Sequence, residues 1–317
     1  MDMKEIKWQP DHLGDGFEMT YLNHPDDYGG KVRSTVIRKL ASTPSQKAIL
    51  YVHGFSDYFL QKEMARMFVE NGYNFYAVDL RKYGRSLTSD QKMFQVRDLH
   101  EYYPDIDSAV DIIRDDCNIA IALFGHSTGG LTASLYMSEH PSPMIKVLML
   151  NSPFLDWNMP RFQKKVVIPV ASALGNLFPN VRVPQKPDAG YAETLSNRHQ
   201  GEWDYRVDWK PDTLPDPDLG WIHAIQTGQQ ELRHRRLKVP VLLMHSAESV
   251  RKGDPKEKYF KADAILDVET ISRYGTRLAP DVTEVTFQEG LHDLALSPRA
   301  VRDQFYTTIL SWLGTHF

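Results

Sequence analysis

Residues 119–140, IAIALFGHSTGGLTASLYMSEH, contain the strongest fold signal of this chain. Its first part, residues 119–124, is continuously apolar, as in a strand that is covered on both faces. Its last part, residues 131–140, is predicted to form a helix. Between the two, Gly125-His126-Ser127-Thr128-Gly129 matches the pattern G-x-S-x-G, in which a serine lies on a strained turn from strand to helix. We therefore interpret Ser127 as a nucleophile, with the helix N-terminus behind it favouring negative charge.

Seven further apolar runs lie before and after this stretch, and helical patterns separate the later ones. Such alternation predicts an α/β fold with a mostly parallel, eight-stranded sheet flanked by helices. The first two runs are amphipathic and fit a hairpin at the edge of the sheet. The seven runs are residues 18–23, 32–40, 47–54, 75–80, 147–153, 239–246 and 282–287.

Residues 154–236 break this alternation. They hold many prolines, four tryptophans and no clear strand. A loop of this length without structure of its own is uncommon inside a compact domain. We therefore predict that residues 154–236 form an inserted cap, or lid, on a core that consists of residues 1–153 and 237–317.

The composition disfavours several classes of protein. The 317 residues carry a net charge of -4, so the chain has no basic excess for binding nucleic acid. Cys117 is the single cysteine, which rules out an internal disulfide and favours a reducing compartment. The N-terminal segment lacks the apolar core of a signal peptide, and no apolar run approaches the roughly 20 residues of a membrane span. We expect a cytoplasmic protein without a stable membrane span, and the oligomeric state stays open.

Two more motifs, together with Gly-His-Ser-x-Gly-Gly, carry a resemblance to a known family. His53-Gly54-Phe55 follows a predicted strand, and residues 79–86, DLRKYGRS, are similar to a D-x-R-G-x-G-x-S loop. The chain resembles the α/β-hydrolases, in the branch of monoglyceride lipases, lysophospholipases and serine aminopeptidase-like proteins. The resemblance extends over essentially the whole chain, although the predicted cap matches in placement alone and Lys82 stands where glycine is usual. It implies the α/β-hydrolase fold and a structural role for the arginine-rich loop.

The resemblance also implies an oxyanion hole. Its donors would be the backbone N–H groups of Phe55 and Thr128. His53 itself is interpreted as a structural residue.

A serine hydroxyl needs a histidine to take its proton and a carboxylate to hold that histidine, and in this fold the chain order is serine, acid, histidine. Of the 12 histidines, His292 alone lies in a loop just after a late strand. Its context is similar to the G-x-x-H-E of the family, with Asp293 in place of the glutamate. We predict that His292 is the general base.

The acid should follow the strand at residues 239–246, but the aspartate that is usual in the family is absent at the expected spacing. Further on, residues 262–267, ADAILD, resemble the D-x-V-V-D of the family, displaced by an insertion of roughly a dozen residues. The simplest interpretation is that Asp263 is the acid. Glu248 and Asp254 stay open as alternatives.

These residues predict a serine hydrolase that cleaves a carboxylic ester through an acyl-enzyme on Ser127, as lysophospholipases, monoacylglycerol lipases and carboxylesterases do. The substrate would be a small-molecule acyl ester, and neither a metal nor an organic cofactor is expected. An acyltransferase or a peptidase with the same three residues stays open, as does a non-catalytic ligand-binding homologue. Dehalogenase and epoxide hydrolase relatives normally have aspartate in place of the serine, which disfavours them.

Overall fold

A computed structural model describes residues 6–184 and 190–317. Residues 1–5 of the N-terminal segment and residues 185–189 of the predicted cap lie outside the described residues. One sheet dominates the described part. Its strands are β1 (Gln9–Pro10), β2 (Glu18–Asp27), β3 (Gly30–Lys39), β4 (Lys47–Val52), β5 (Asn74–Asp79), β6 (Ala120–His126), β7 (Ile145–Asn151), β8 (Val241–Ser246) and β9 (Val282–Phe287).

The strands are arranged in the order β1-β2-β3-β5-β4-β6-β7-β8-β9. All pairs from β5 to β9 are parallel, whereas β1, β2 and β3 pair antiparallel, so the predicted hairpin at the edge is confirmed. The predicted count of eight strands is wrong by one, because β1 adds a ninth in the described residues. This strand has two residues, Gln9 and Pro10, and two residues cannot show an alternating pattern.

Helices cover both faces of this sheet. Those in the described residues are α1 (Lys62–Glu70), α2 (Tyr103–Asp115), α3 (Thr128–Glu139), α4 (Ile168–Leu177), α5 (Gly190–Leu195), α6 (Leu219–Arg233), α7 (Val268–Gly275) and α8 (Arg299–His316). A π-helical stretch, Gln163–Val167, runs directly into α4. None of the described helices is long and apolar enough to span a bilayer.

Strand residues alternate between the two faces, as the period of a strand requires. Leu50 and Leu243 belong to a core that includes residues of α2, α3 and α6. Ile49 and Leu242, their neighbours in the chain, belong to a second core that includes residues of α1 and α8. Both faces of the central strands are therefore buried, which explains their continuous apolar sequences.

The segment of residues 154–236, here called the inserted segment, connects β7 to β8. Its described part contains α4, α5 and α6 and no strand of the sheet. Helix α6 packs against α3, and Trp157 and Trp221 join the core on that face of the sheet. The inserted segment is therefore attached next to the helix that follows Ser127.

A buried cluster of charges holds the loop after β5. Asp79, the last residue of β5, accepts hydrogen bonds from the backbone N–H of Phe59 at 2.9 Å and from Nη1 of Arg85 at 2.8 Å. Arg85 also donates to both carboxylate oxygens of Asp11, at 2.6 and 2.9 Å. Burial alone would raise the pKa of Asp11, but hydrogen bonds from His12 and Arg85 hold this pKa well below its usual range. Arg85 thus ties the N-terminal segment to the sheet.

Lys82, at the position where the family usually has glycine, has a backbone φ of 66°. This left-handed region favours glycine, which has no Cβ. The side chain offsets the strain, because Nζ lies 2.6 Å from Oδ2 of Asp27 and 4.1 Å from the ring centre of Tyr28. The other arginine of the loop, Arg81, pairs with the buried Asp105 at 2.7 Å. The loop therefore has extensive structural contacts.

We predict that Arg85→Met lowers the free energy of unfolding by about 3–5 kcal/mol, because Asp11 and Asp79 would stay buried without their cation. Urea unfolding followed by circular dichroism measures the change. Arg299→Met is the matched control, since Arg299 forms its ion pairs at the exposed surface, and its loss should leave stability unchanged. Equal unfolding curves for the two variants would contradict the structural role of Arg85.

Candidate active site

Ser127 lies in a tight turn between β6 and α3. Its φ of 53° is unfavourable for a residue other than glycine, so the predicted strain is present. The backbone N–H of Ser127 donates to the carbonyl of Asn151 at 3.0 Å, and its carbonyl accepts from the N–H of Phe154 at 3.0 Å. These bonds fix the turn to the end of β7 and to the start of the inserted segment.

The glycines of the motif are required by close backbone contacts. A Cβ on Gly129 would lie 2.2 Å from the carbonyl oxygen of His53 and 2.4 Å from that of Val52. A Cβ on Gly125 would lie 2.6 Å from Cα of Gly130. The turn therefore packs directly on the end of β4, with no room for a larger residue.

The structure brings the three predicted residues into one chain of hydrogen bonds. Oγ of Ser127 lies 3.0 Å from Nε2 of His292, and Nδ1 of His292 lies 2.9 Å from Oδ2 of Asp263. All three residues are buried. Because a carboxylate can only accept, Nδ1 carries the proton, and Nε2 is free to accept from the serine hydroxyl. The arrangement can therefore move a proton from serine to histidine.

Asp263 is held in place on both sides. Its Oδ1 accepts hydrogen bonds from the backbone N–H groups of Ile265 and Leu266, each at 2.8 Å, which leaves Oδ2 to His292. Its backbone pairs with the segment after β8, through bonds from its N–H to the carbonyl of Glu248 and from the N–H of Val250 to its carbonyl. The loop between Val250 and Asp263 therefore begins and ends at the same point, next to the end of β8.

The side chains of the two alternative acids pair with a lysine and not with His292. Glu248 and Asp254 both pair with Nζ of Lys258, at 3.3 and 3.2 Å. Asp267 caps the next helix, because its side chain accepts from the N–H of Glu269 at the start of α7. Among these carboxylates, Asp263 is the one hydrogen-bonded to His292 in the described structure.

The two predicted oxyanion donors flank the same turn. Phe55 follows β4, and a Cβ on the preceding Gly54 would lie 3.0 Å from Cβ of Ser127. Thr128 is the first residue of α3, where backbone N–H groups have no partner in the helix. Both residues line the pocket beside Ser127. Nε2 of His53 accepts from the backbone N–H of Leu80 at 3.1 Å, which gives that histidine a structural role.

A pocket of about 240 Å³ opens beside Ser127 and His292. Most of its wall is apolar, and residues of the core and of the inserted segment both contribute to it. Aromatic rings are in contact there, with ring centres 4.5 Å apart for Phe55 and Trp221. The main apolar residues of the wall are Phe55, Phe154, Trp157, Leu195, Trp221 and Ile265.

One part of the pocket is polar. Asp57, from the loop after β4, pairs through Oδ1 with Nζ of Lys210, from the inserted segment, at 2.9 Å. Oδ2 of Asp57 and Oγ of Ser56 are buried without a hydrogen-bond partner in the described residues. The ion pair between Asp57 and Lys210 therefore gives the pocket a charged part within a mostly apolar wall.

The loop that carries His292 is anchored by its neighbour Asp293. The carboxylate of Asp293 accepts from Nε2 of Gln61 at 2.9 Å and from Nδ2 of Asn151 at 2.8 Å. Its backbone N–H donates to Oη of Tyr191 at 3.0 Å. The aspartate that replaces the usual glutamate of the family thus fixes the loop to the core and to the inserted segment.

Potential metal ligands also meet near the site. Asp57, His126 and Asp293 each place one such atom within 4.8 Å of the others. Lys210 already pairs with Asp57, and burial lowers the pKa of His126 although the charge of Asp293 opposes this. The protein itself thus supplies a cation to this group. One more group of this kind, partly exposed, consists of His100, Glu139 and Glu231.

A family model described as serine aminopeptidase, S33, matches residues 43–294. The chain belongs to this family. Among curated proteins, it is 26% identical over 153 residues to phospholipase YtpA of Bacillus subtilis (strain 168), a match that covers 48% of this chain and 55% of that protein. The family match confirms the resemblance that the sequence motifs carry.

Solved structures are similar over nearly the full length. A monoacylglycerol lipase of Paleococcus ferrophilus superposes with a TM-score of 0.66 at 22% identity, over 89% of this chain and 99% of that one. A soluble variant of monoglyceride lipase from Saccharomyces cerevisiae has a TM-score of 0.64 at 18% identity, over 98% and 95%. At these identities the likeness concerns the fold, and it confirms the predicted α/β-hydrolase fold.

Sequence reasoning missed three polar residues of the site: Asp57, Lys210 and Tyr191. Each lies outside a recognisable motif, and two of them belong to the inserted segment. The one signal in the sequence was indirect: the abundance of tryptophan and tyrosine fits an aromatic pocket. Which residues line that pocket depends on how the inserted segment folds back on the sheet.

We predict that Gly129→Ala disrupts the site, because the added Cβ would meet the carbonyl oxygens of His53 and Val52. The thermal midpoint should fall, and labelling of Ser127 by a fluorophosphonate should be lost or strongly slowed. Gly314→Ala in α8 is the matched control, because nothing lies within 4 Å of that Cβ and alanine favours a helix. Wild-type labelling and stability in Gly129→Ala would contradict the close packing of the turn.

Proposed function

We propose that this protein is a serine hydrolase that cleaves a carboxylic ester through an acyl-enzyme on Ser127. The observation that carries the proposal is the hydrogen-bonded chain from Ser127 through His292 to Asp263, with distances of 3.0 and 2.9 Å. A strained serine, a histidine with a free Nε2 and a buried carboxylate form the arrangement that activates a hydroxyl at neutral pH.

In the proposed reaction, Nε2 of His292 takes the proton of Ser127 while Oγ attacks the ester carbonyl. Asp263 keeps the proton on Nδ1 and stabilises the imidazolium. The tetrahedral intermediate collapses, and the alcohol leaves with the proton from His292. Water, activated by the same histidine, then releases the carboxylic acid and restores the serine.

The proposed oxyanion hole consists of the backbone N–H groups of Phe55 and Thr128. Their place on either side of Ser127, and the position of Thr128 at the N-terminus of α3, support this assignment. Donors that are fixed before the reaction stabilise the negative charge without reorganisation.

We also propose that residues 154–236 act as the cap, on a core of residues 1–153 and 237–317. Phe154, Trp157 and Trp221 of this segment form part of the pocket wall, and Lys210 reaches Asp57 of the core. A cap that provides both apolar wall and polar contacts would decide which esters fit.

The proposed substrate is an ester with an apolar acyl chain, of the lysophospholipid or monoacylglycerol kind. The apolar wall supports the acyl chain, and the charged pair of Asp57 and Lys210 in the pocket lining supports a polar alcohol part. The relatives named phospholipase and monoacylglycerol lipase point the same way. We place the reaction in the cytoplasm, because Cys117 is a free cysteine and the one cysteine of the chain.

We predict that Ser127→Ala lowers ester turnover by at least about 10⁴-fold, because the nucleophile is absent. Hydrolysis of p-nitrophenyl esters and labelling by a fluorophosphonate measure the loss. Ser42→Ala, at an exposed position remote in the chain from the motif, is the control that should keep full activity. Undiminished turnover in Ser127→Ala would refute the site, and absence of both labelling and turnover in the wild type would favour a ligand-binding protein.

We predict that Asp263→Asn lowers kcat by about 10⁴-fold, because the histidine loses its orientation and the partner of its charged form. Glu248→Gln and Asp254→Asn are matched controls and should retain wild-type kcat, since both residues pair with Lys258. Steady-state kinetics on one ester compares the three variants. A large loss in either control, with a small one in Asp263→Asn, would assign the acid to a different carboxylate.

We predict that kcat/KM rises with acyl chain length over a series of esters and then levels off, because each buried CH₂ contributes about 0.8 kcal/mol until the pocket is filled.

Product analysis with an added alcohol acceptor tests transfer of the acyl group to an alcohol against hydrolysis. An aminoacyl anilide tests peptidase activity. If the anilide is turned over faster than the esters, the protein is a peptidase and not an ester hydrolase. If acyl transfer exceeds hydrolysis, it is an acyltransferase.

A further inference from the structure

Helix α4 presents apolar residues on two opposite sides. One side, with Ile168, Ser172 and Gly175, is buried against α6; a Cβ on Gly175 would lie 2.0 Å from the carbonyl oxygen of Leu219. Opposite this side, at the spacing of a helix, lies a stripe of exposed apolar residues that we call the outer face. Its members and their exposed fractions are Val166 (45%), Val170 (56%), Leu174 (43%) and Leu177 (69%).

The outer face continues beyond the helix. Phe162, Phe178 and Val181 are exposed by 69%, 58% and 51%. A helix that is apolar all round is normally covered on all sides, and large exposed apolar patches mark interaction sites. No described part of the chain covers this one.

The charge of the same segment has one sign. Residues 158–184 contain no aspartate or glutamate, whereas the whole chain has a net charge of -4. Arg161, Lys165 and Arg182 are exposed along the segment, and Lys164 pairs with Asp156 beside it. A positive and apolar surface therefore stands out on a protein of negative net charge.

We propose that the outer face docks on the surface of a bilayer that contains anionic lipid. Apolar side chains enter the interface between headgroups and acyl chains, and lysine and arginine beside them are attracted to anionic headgroups. A second copy of this chain fits less well, because pairing two outer faces would bring their cations together.

Docking would bring the pocket close to the lipid. Met159, which precedes the π-helical stretch in the chain, lines the pocket, and so does Pro217, whose carbonyl accepts from the N–H of Val183 at 2.9 Å. The orientation of the pocket towards the bilayer rests on the proposed function, in which an acyl ester passes from the bilayer to Ser127. Membrane binding by the outer face is independent of that function, so it can be measured in a protein that cannot hydrolyse lipid.

The test uses full-length Ser127→Ala protein and sedimentation with vesicles of phosphatidylcholine alone or mixed with phosphatidylglycerol. We expect binding to the mixed vesicles that weakens with salt and is at least about tenfold weaker without the anionic lipid. Because Ser127→Ala removes turnover, failure of the proposed ester chemistry would leave this result unchanged.

Two pairs of substitutions locate the surface. Val170→Ser with Leu177→Ser should lower the partition coefficient through lost apolar contact, and Arg161→Glu with Lys165→Glu should lower it by at least about tenfold through charge. The matched controls are two pairs at exposed positions outside the inserted segment, Leu40→Ser with Ile119→Ser and Lys252→Glu with Lys256→Glu. The controls should bind vesicles as strongly as Ser127→Ala alone. To show that each fold is intact, the same substitutions are made in the protein that retains Ser127, where the thermal midpoint and the turnover of a short ester should be unchanged.

Three outcomes overturn the proposal. The first is no sedimentation with mixed vesicles. The second is equal binding by the outer-face pairs and their controls. The third is a dimer that sedimentation velocity detects without lipid and that dissociates into monomers on Val170→Ser with Leu177→Ser. The outer face would then join two copies of the chain.

Discussion

The close approach of two stretches of backbone is the constraint on which the rest of the site depends. Gly129, at the start of α3, lies so near the end of β4 that a Cβ would be 2.4 Å from the carbonyl oxygen of Val52 and 2.2 Å from that of His53. This contact holds the turn with Ser127 against the loop that carries Phe55. Strain at Ser127 is tolerated because β4 and β7 fix the turn on both sides, through packing and through the bond to Asn151.

Parallel strands then bring the remaining groups to the same edge of the sheet. The loops after β8 and β9 supply Asp263 and His292, which meet the loop after β6 although 165 residues separate Ser127 from His292. The backbone bridge between Ser249 and Asp263 explains why an insertion is tolerated here, since it closes the inserted loop at its base. The bridge thus fixes the backbone of Asp263 beside the end of β8.

The inserted segment has two apolar sides with different surroundings. Towards the core, its aromatic residues and Lys210 complete a pocket whose wall is mostly apolar, with a charged part where Lys210 pairs with Asp57. Away from the core, α4 leaves an apolar and positive face exposed. The inserted segment therefore contributes both to the pocket wall and to the surface that we propose to meet lipid, which connects the proposed substrate class with the proposed docking surface.

Local patterns in the sequence determined most of the sheet, the turn at Ser127 and the position of His292, because strand and helix periods and the glycine spacing of a tight turn are properties of neighbouring residues. Asp263 needed the family resemblance, since an insertion hid its spacing. Tertiary structure alone decided the two-residue β1, the pocket wall, and the meeting of Asp57, Lys210 and Tyr191. Those features arise from contacts between segments far apart in the chain, and no short sequence pattern records which distant residues come together.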